Sequence, residues 1–166
     1  TSVIFGGLLL GLLIFFFPPL YGEGYDFINE LLNGNKILIF SSSIFKGYIN
    51  NTSIFIVYFL LIVFFKVIAM AITTGSGGIG GVFAPTLYIG AFLGCIYVSV
   101  LSIFNINLPE RNFILAGMAG LMSGVMHAPM TAIFLIVEIT GSYNLIIPLI
   151  ATSVFSFITI YKFEPH

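Results

Sequence analysis

The sequence predicts an all-α membrane protein, and two observations carry that expectation. Of its 166 residues, 59% are hydrophobic and only 7% charged, whereas a soluble domain carries about 25% charged residues. Such a chain cannot cover itself with a water-compatible surface. The apolar residues also come in runs approaching twenty, the length of a helix that crosses a bilayer core. A net charge of −1 leaves no basic face for nucleic acid. The single cysteine, Cys95, lies inside an apolar run, so no disulfide framework forms within the chain.

The first apolar run, residues 3–17, has no basic flank before it and no cleavage site after it, so it is not a signal peptide. Pro18-Pro19 closes it. As a helix it spans about 22 Å, short for a full crossing. Its Gly7 and Gly11 form a GxxxG pair that admits another helix closely. Residues 20–52 are the most polar stretch, with Glu23, Asp26, Glu30, Lys36 and Lys46. They predict a short amphipathic helix over Tyr25–Leu32 and then a Ser- and Asn-rich loop.

Residues 53–72 hold one charge, Lys66, over a length that suits a span. A Gly-rich stretch, 75–81, follows. The next apolar segment, 82–104, is expected to start its helix near Gly81, because Pro85 is tolerated in a first turn. Residues 105–111 read as a polar turn. "NFILAGMAGLMSGVM" is a fourth segment, ended by "HAP", and Pro129 begins a fifth, "PMTAIFLIVEIT". Residues 141–144 separate it from a sixth, "LIIPLIATSVFSFITIY". Short, interrupted helices at membrane depth belong where backbone is buried in protein or lines a cavity. The chain reads as a single piece of a larger membrane protein, and its few Lys and Arg residues give no orientation.

The stretch "TTGSGGIGGVFAP" contains G-x-G-x-x-G from Gly75 to Gly80. A dinucleotide fingerprint follows a strand and has an acidic residue about 20 positions on. Here the glycines follow an apolar helix and position 100 is valine, so that reading fails. A packing turn explains Gly90 with Gly94 and Gly120 with Gly124, and explains 75–81 less well. The sharper reading is an anion site. A helix start presents N–H groups and the positive end of its dipole, and holds an anion without a formal cation, loosely enough for release. The amides of Gly81, Val82 and Phe83 would hold the anion. Gly75, Gly77, Gly78 and Gly80 would form the approach, and Pro85 would secure the first turn.

"GSGGIGGVFAP", with Gly81-Val82-Phe83-Ala84-Pro85 as G-x-F-x-P, resembles the signature of the CLC family of chloride channels and chloride/proton antiporters, bacterial members included. "GMAGLMSGVMHAPMTAIFLIVEITGSYNLIIPLI" resembles that family's following helices. The resemblance covers nearly the whole chain. It implies the C-terminal half of a CLC-type transport domain with tilted, broken and re-entrant helices. Chloride is then the transported ligand, held in part by the amides of Val82 and Phe83. It implies a homodimer in membrane lipid, in a bacterial inner membrane, with Met130, Ile133, Ile146 and Leu149 at the dimer contact. It also places the gating and proton-relay glutamates in an earlier half, so channel and antiporter both stay open.

Other polar residues carry weaker expectations. Lys66 is expected to snorkel or to cap a helix end. Glu138, near a helix end, reads as structural or interfacial against the default for an intramembrane acid. His127 reads as a helix-start or contact residue rather than a proton carrier. Tyr88, one turn before Phe92, could line the pathway, with helix packing as the favoured use. No carboxylate pair, Cys/His cluster or Ser/His/Asp set marks an enzyme, a metal site or a cofactor. The alternative function is a membrane scaffold or oligomerisation module whose glycines serve helix packing alone.

Overall fold

The computed structural model describes residues 2–35, 52–78, 80–141 and 143–163. Among these, the elements are α1 (Ser2–Phe16), a 3₁₀ turn (Pro18–Leu20), α2 (Tyr25–Leu32), α3 (Thr52–Gly75), α4 (Phe83–Ile103), α5 (Glu110–Met126), α6 (Pro129–Thr140) and α7 (Ile146–Phe163), with no strand. The Ser- and Asn-rich loop falls at 36–51, outside the described residues. Among the described residues, α3 from Ser53, α4 and α7 are long and apolar enough to cross a membrane, while α1 and α6 are shorter apolar helices. The chain divides into two compact units, residues 1–85 and 86–166.

In the first unit α1 packs on α3. The α1 side that faces the unit is Gly6, Leu10, Leu13 and Ile14, half-buried or better, while Val3, Ile4, Phe5, Leu8 and Phe15 stay exposed. Gly6 sits against Ser76, whose Oγ would occupy the place of any Cβ there. Phe17, just past α1, stacks near Tyr58 and Phe65, with ring centroids 6.3 and 4.8 Å away. Helix α3 buries a stripe of Tyr58, Phe59, Ile62, Lys66 and Ala69, the three- and four-residue spacing of one helical face.

Helix α3 runs three residues beyond the expected end at Ile72, and its closure explains why. Thr73 Oγ1 donates to the Ala69 carbonyl at 2.8 Å and Ser76 Oγ to that of Ile72 at 2.5 Å. The Gly78 N–H then reaches the Thr73 carbonyl (2.9 Å) and the Gly77 N–H that of Thr74 (3.2 Å). This is a Schellman closure, and its C′ residue, Gly77, has φ +88°, a conformation glycine adopts without a Cβ penalty.

In the second unit α5 packs against α6 and α7, and α6 against α7. Helices α4 and α5 cross at backbone distance. A Cβ at Gly90 would lie 2.6 Å from the Gly117 carbonyl oxygen, and one at Gly94 would overlap the Phe113 carbonyl. The packing use expected of that GxxxG pair is therefore what the structure shows. Gly124 lies against Ser156 and Ile160 of α7. Helix α5 starts at Glu110, so Glu110 and Arg111 belong to its first turn and not to the preceding polar turn. It ends at His127, in the left-handed region at φ 54° with its ring edge-on to Phe157. His127 is thus a contact residue that ends α5 and does not start the next helix, which begins at Pro129.

Serines join α5 to α7. Ser123 Oγ donates to the Ser153 carbonyl at 2.8 Å, and Ser153 Oγ to the Ala119 carbonyl at 3.4 Å, both fully buried. Interhelical hydrogen bonds of this kind average about 0.6 kcal/mol in membrane proteins. Ser123→Ala is therefore expected to lower unfolding stability in detergent by about that much, with no change of fold. A loss several times larger would mean that the bond anchors the whole bundle.

Candidate functional site

The first unit contains a cavity of about 430 Å³. One wall comes from Leu10 and Ile14 of α1, and another from Lys66, Ala69, Met70 and Thr73 of α3. The connection between α1 and α2 contributes Leu20, Gly22 and Glu23, followed by Tyr25 at the start of α2. The remaining wall is Gly80, Gly81, Phe83, Ala84 and Pro85, the approach to α4 and its first turn. Two of the sequence-selected glycines and a helix start thus meet one partly open cavity.

The 75–81 stretch turns out to be two pieces. Gly75 is the last residue of α3, and Gly77 and Gly78 close that helix. Of the expected approach glycines only Gly80 lines the cavity, beside Gly81. Gly78 has no room for a side chain, since a Cβ would fall 2.8 Å from the Thr73 carbonyl oxygen. A Cβ at Gly81 would meet nothing within 4 Å. Gly81 is bare backbone facing open space.

Helix α4 begins at Phe83, two residues after the expected position. Val82 sits in the bend before it, 38% exposed. A first helical turn directs N–H groups and the positive dipole end outward along the axis. Pro85, third in α4, has no N–H to contribute and a φ already suited to the helix. The wall at this end is therefore Gly81 backbone with the first turn from Phe83.

Lys66 departs from the expectation of a site without a formal cation. It does not snorkel. It is 5% exposed, and its Nζ donates to the carbonyls of Leu20 (3.1 Å) and Gly22 (2.9 Å). It caps the end of the 3₁₀ turn and lines the cavity as well. Glu23, next in the chain to Gly22, also lines the cavity and is exposed. Burial, and after it the Glu23 carboxylate, pushes the Tyr25 hydroxyl above its ordinary range, so Tyr25 stays protonated and neutral near pH 7.

The other sequence-selected residues lie elsewhere. Tyr88 and Phe92 are fully buried in the second unit and stack on each other at 4.5 Å, a packing arrangement. Of the four residues expected at a dimer contact, Met130 is 63% exposed and Ile146 half-buried. Ile133 and Leu149 are 3% and 1% exposed: they point into the core that α5, α6 and α7 share, so the chain's own packing already uses them. Glu138 is exposed near the end of α6, where its carbonyl accepts from Gly141 N–H at 3.3 Å. Among the described residues, no group of three or more His, Cys, Asp or Glu side chains converges on a metal position. Lys66 is the cavity residue that sequence reasoning missed. Its position on the buried face of α3 was the available signal, four residues after Ile62 and three before Ala69.

A family model described as voltage gated chloride channel matches residues 1–160. Among curated proteins, the chain is 34% identical over 155 residues to an H(+)/Cl(−) exchange transporter of Vibrio vulnificus, covering 92% of this chain and 29% of that protein. It is 32% identical over 155 residues to the transporter of the same name from Vibrio campbellii, again over 92% and 29%. It is 33% identical over 143 residues to a voltage-gated ClC-type chloride channel of Escherichia coli, covering 85% of this chain and 30% of that protein. The chain thus spans under a third of the length of these relatives.

Proposed function

The chain belongs to the voltage gated chloride channel family, and from that premise we propose that it contributes one wall of a chloride pathway in an integral membrane protein. The observation that carries the proposal is Gly81, a side-chain-free residue with nothing within 4 Å of where a Cβ would be, lining a cavity together with the first turn of α4. A chloride there would exchange water for first-turn N–H groups and the helix dipole. Multiple modest interactions of this kind bind an ion without trapping it. The relatives' names divide between exchange transporter and channel, and the proposal concerns the step the two share, passage of chloride.

The packing-only alternative applies to Gly90, Gly94 and Gly117, which meet backbone, and has no support at Gly81. The homodimer belongs to the same proposal. It would use the exposed apolar side chains of α6 and α7, such as Met130, Phe134, Ile147 and Phe155, in place of Ile133 and Leu149. A bacterial inner membrane is the compartment proposed, in keeping with the bacterial relatives.

The test is a crystal of the complete protein soaked in bromide. Anomalous density is expected within hydrogen-bond distance of the backbone N–H groups at the start of α4. Density found only at side-chain cations away from this helix start would overturn the proposal.

A further inference from the structure

Lys66 joins two features that the sequence keeps apart. It belongs to the buried stripe of α3, and its Nζ holds two backbone carbonyls 46 and 44 residues earlier in the chain. It also lines the cavity together with Gly80, Gly81 and the first turn of α4. A lysine on a membrane helix ordinarily extends its stem to carry the charge to water, and burying an ammonium is costly. Here the side chain is 5% exposed. The two carbonyls orient the ammonium without removing its charge.

We infer that Lys66 is a positioning and affinity-setting residue for the anion: it fastens the α1–α2 connection to α3 and, from the cavity wall, adds a positive field without becoming a ligand. This rests on the reading that the cavity receives an anion. The field argument is quantitative. A sphere of 430 Å³ is about 9 Å across; for an anion held that far from the ammonium, one unit charge changes occupancy roughly two- to twentyfold for effective dielectric constants between 80 and 20. Glu23 carries the opposite charge on the same cavity but is exposed, so water and salt screen it more strongly than the buried ammonium. The balance favours an anion. Because the ammonium is directed at carbonyl oxygens, it does not hold the ion directly, which keeps release possible.

The experiment uses the complete protein in lipid vesicles, with initial chloride flux measured against chloride concentration. Lys66→Gln keeps N–H donors for the Leu20 and Gly22 carbonyls and removes the charge. It should raise the half-saturating chloride concentration roughly fivefold while leaving the maximal rate within about twofold. Lys66→Arg should stay within about twofold of the parent on both measures. A Lys66→Gln protein that loses maximal rate with half-saturation unchanged would make Lys66 a structural anchor only, and would overturn the inference. Should Lys66→Gln fail to fold, Glu23→Gln decides the matter: half-saturation should fall by up to about twofold, for an exposed charge, and an unchanged or raised value counts against a field at this cavity. Bromide crystallography separates this inference from the reading beneath it. No bromide at the start of α4 in the parent removes the site itself. Equal bromide occupancy in parent and Lys66→Gln removes only the role of Lys66.

Discussion

Gly81→Leu is expected to leave the protein folded and to reduce chloride flux at least about tenfold. The folding half of this expectation follows from space and backbone. Nothing lies within 4 Å of a Cβ at this position, and the backbone φ lies outside the left-handed region that would strain a side chain. The functional half follows from place. Gly81 lines the cavity beside the first turn of α4, so four added carbons would stand where the ion must approach. Losing one hydrogen bond to a charged group costs about 1.5–3 kcal/mol, which by itself is a tenfold effect or more. Flux into vesicles and monodispersity in detergent are the two readings. Normal flux from a monodisperse Gly81→Leu protein would end the case for an anion at this helix start. The adjacent turn supplies a contrast: Gly78→Leu meets the Thr73 carbonyl at 2.8 Å, so it should fail at folding, before flux is at issue.

Gly90→Ala should destabilise the second unit by about 3 kcal/mol or more, the upper end of overpacking costs. A Cβ would lie 2.6 Å from the Gly117 carbonyl oxygen and 2.7 Å from Met118 Cα. Both are backbone atoms of α5, so no rotamer change relieves the overlap. The helices must separate, and with them the cross-contacts of Gly94 with Phe113 and Ile114. Stability in detergent, followed by thermal unfolding and by the yield of monodisperse protein, measures the effect. Gly120→Ala is the matched control on α5. Its Cβ would meet only the Thr152 carbonyl, at 3.8 Å, and should change stability by less than about 0.5 kcal/mol. Equal behaviour of the two variants would show that the α4–α5 crossing is not held at backbone distance.

Much of the helical layout was legible because its causes are local. Helix α6 starts and ends where Pro129 and Gly141 say it must, and α2 occupies the amphipathic stretch Tyr25–Leu32. The start of α4 was misplaced by two residues. Pro85 marks a first turn without stating which of its positions it fills, and here it is third. The overrun of α3 to Gly75 was hidden in plain composition, because glycine and serine read as loop. Side-chain bonds from Thr73 and Ser76 and a Schellman closure at Gly77 and Gly78 extended the helix instead.

The candidate site was legible in part. The G-x-F-x-P run led to a helix start, and Gly81 and Phe83 do line a cavity. Lys66 could not be placed, since the carbonyls it holds belong to Leu20 and Gly22, and no local pattern announces a partner that far away. Ile133 and Leu149 show the same limit. A helix that is apolar all round does not declare which side meets its own chain, and these two face inward.

The sequence by itself determined membrane residence and most helix limits, for charge density, apolar run length and the backbone preferences of Pro and Gly act within a few residues. Only the tertiary structure decided which glycines serve packing and which leave open space, and that a buried lysine stands at the cavity. Those outcomes depend on what lies opposite a residue, and the elements that supply it come from distant parts of the chain.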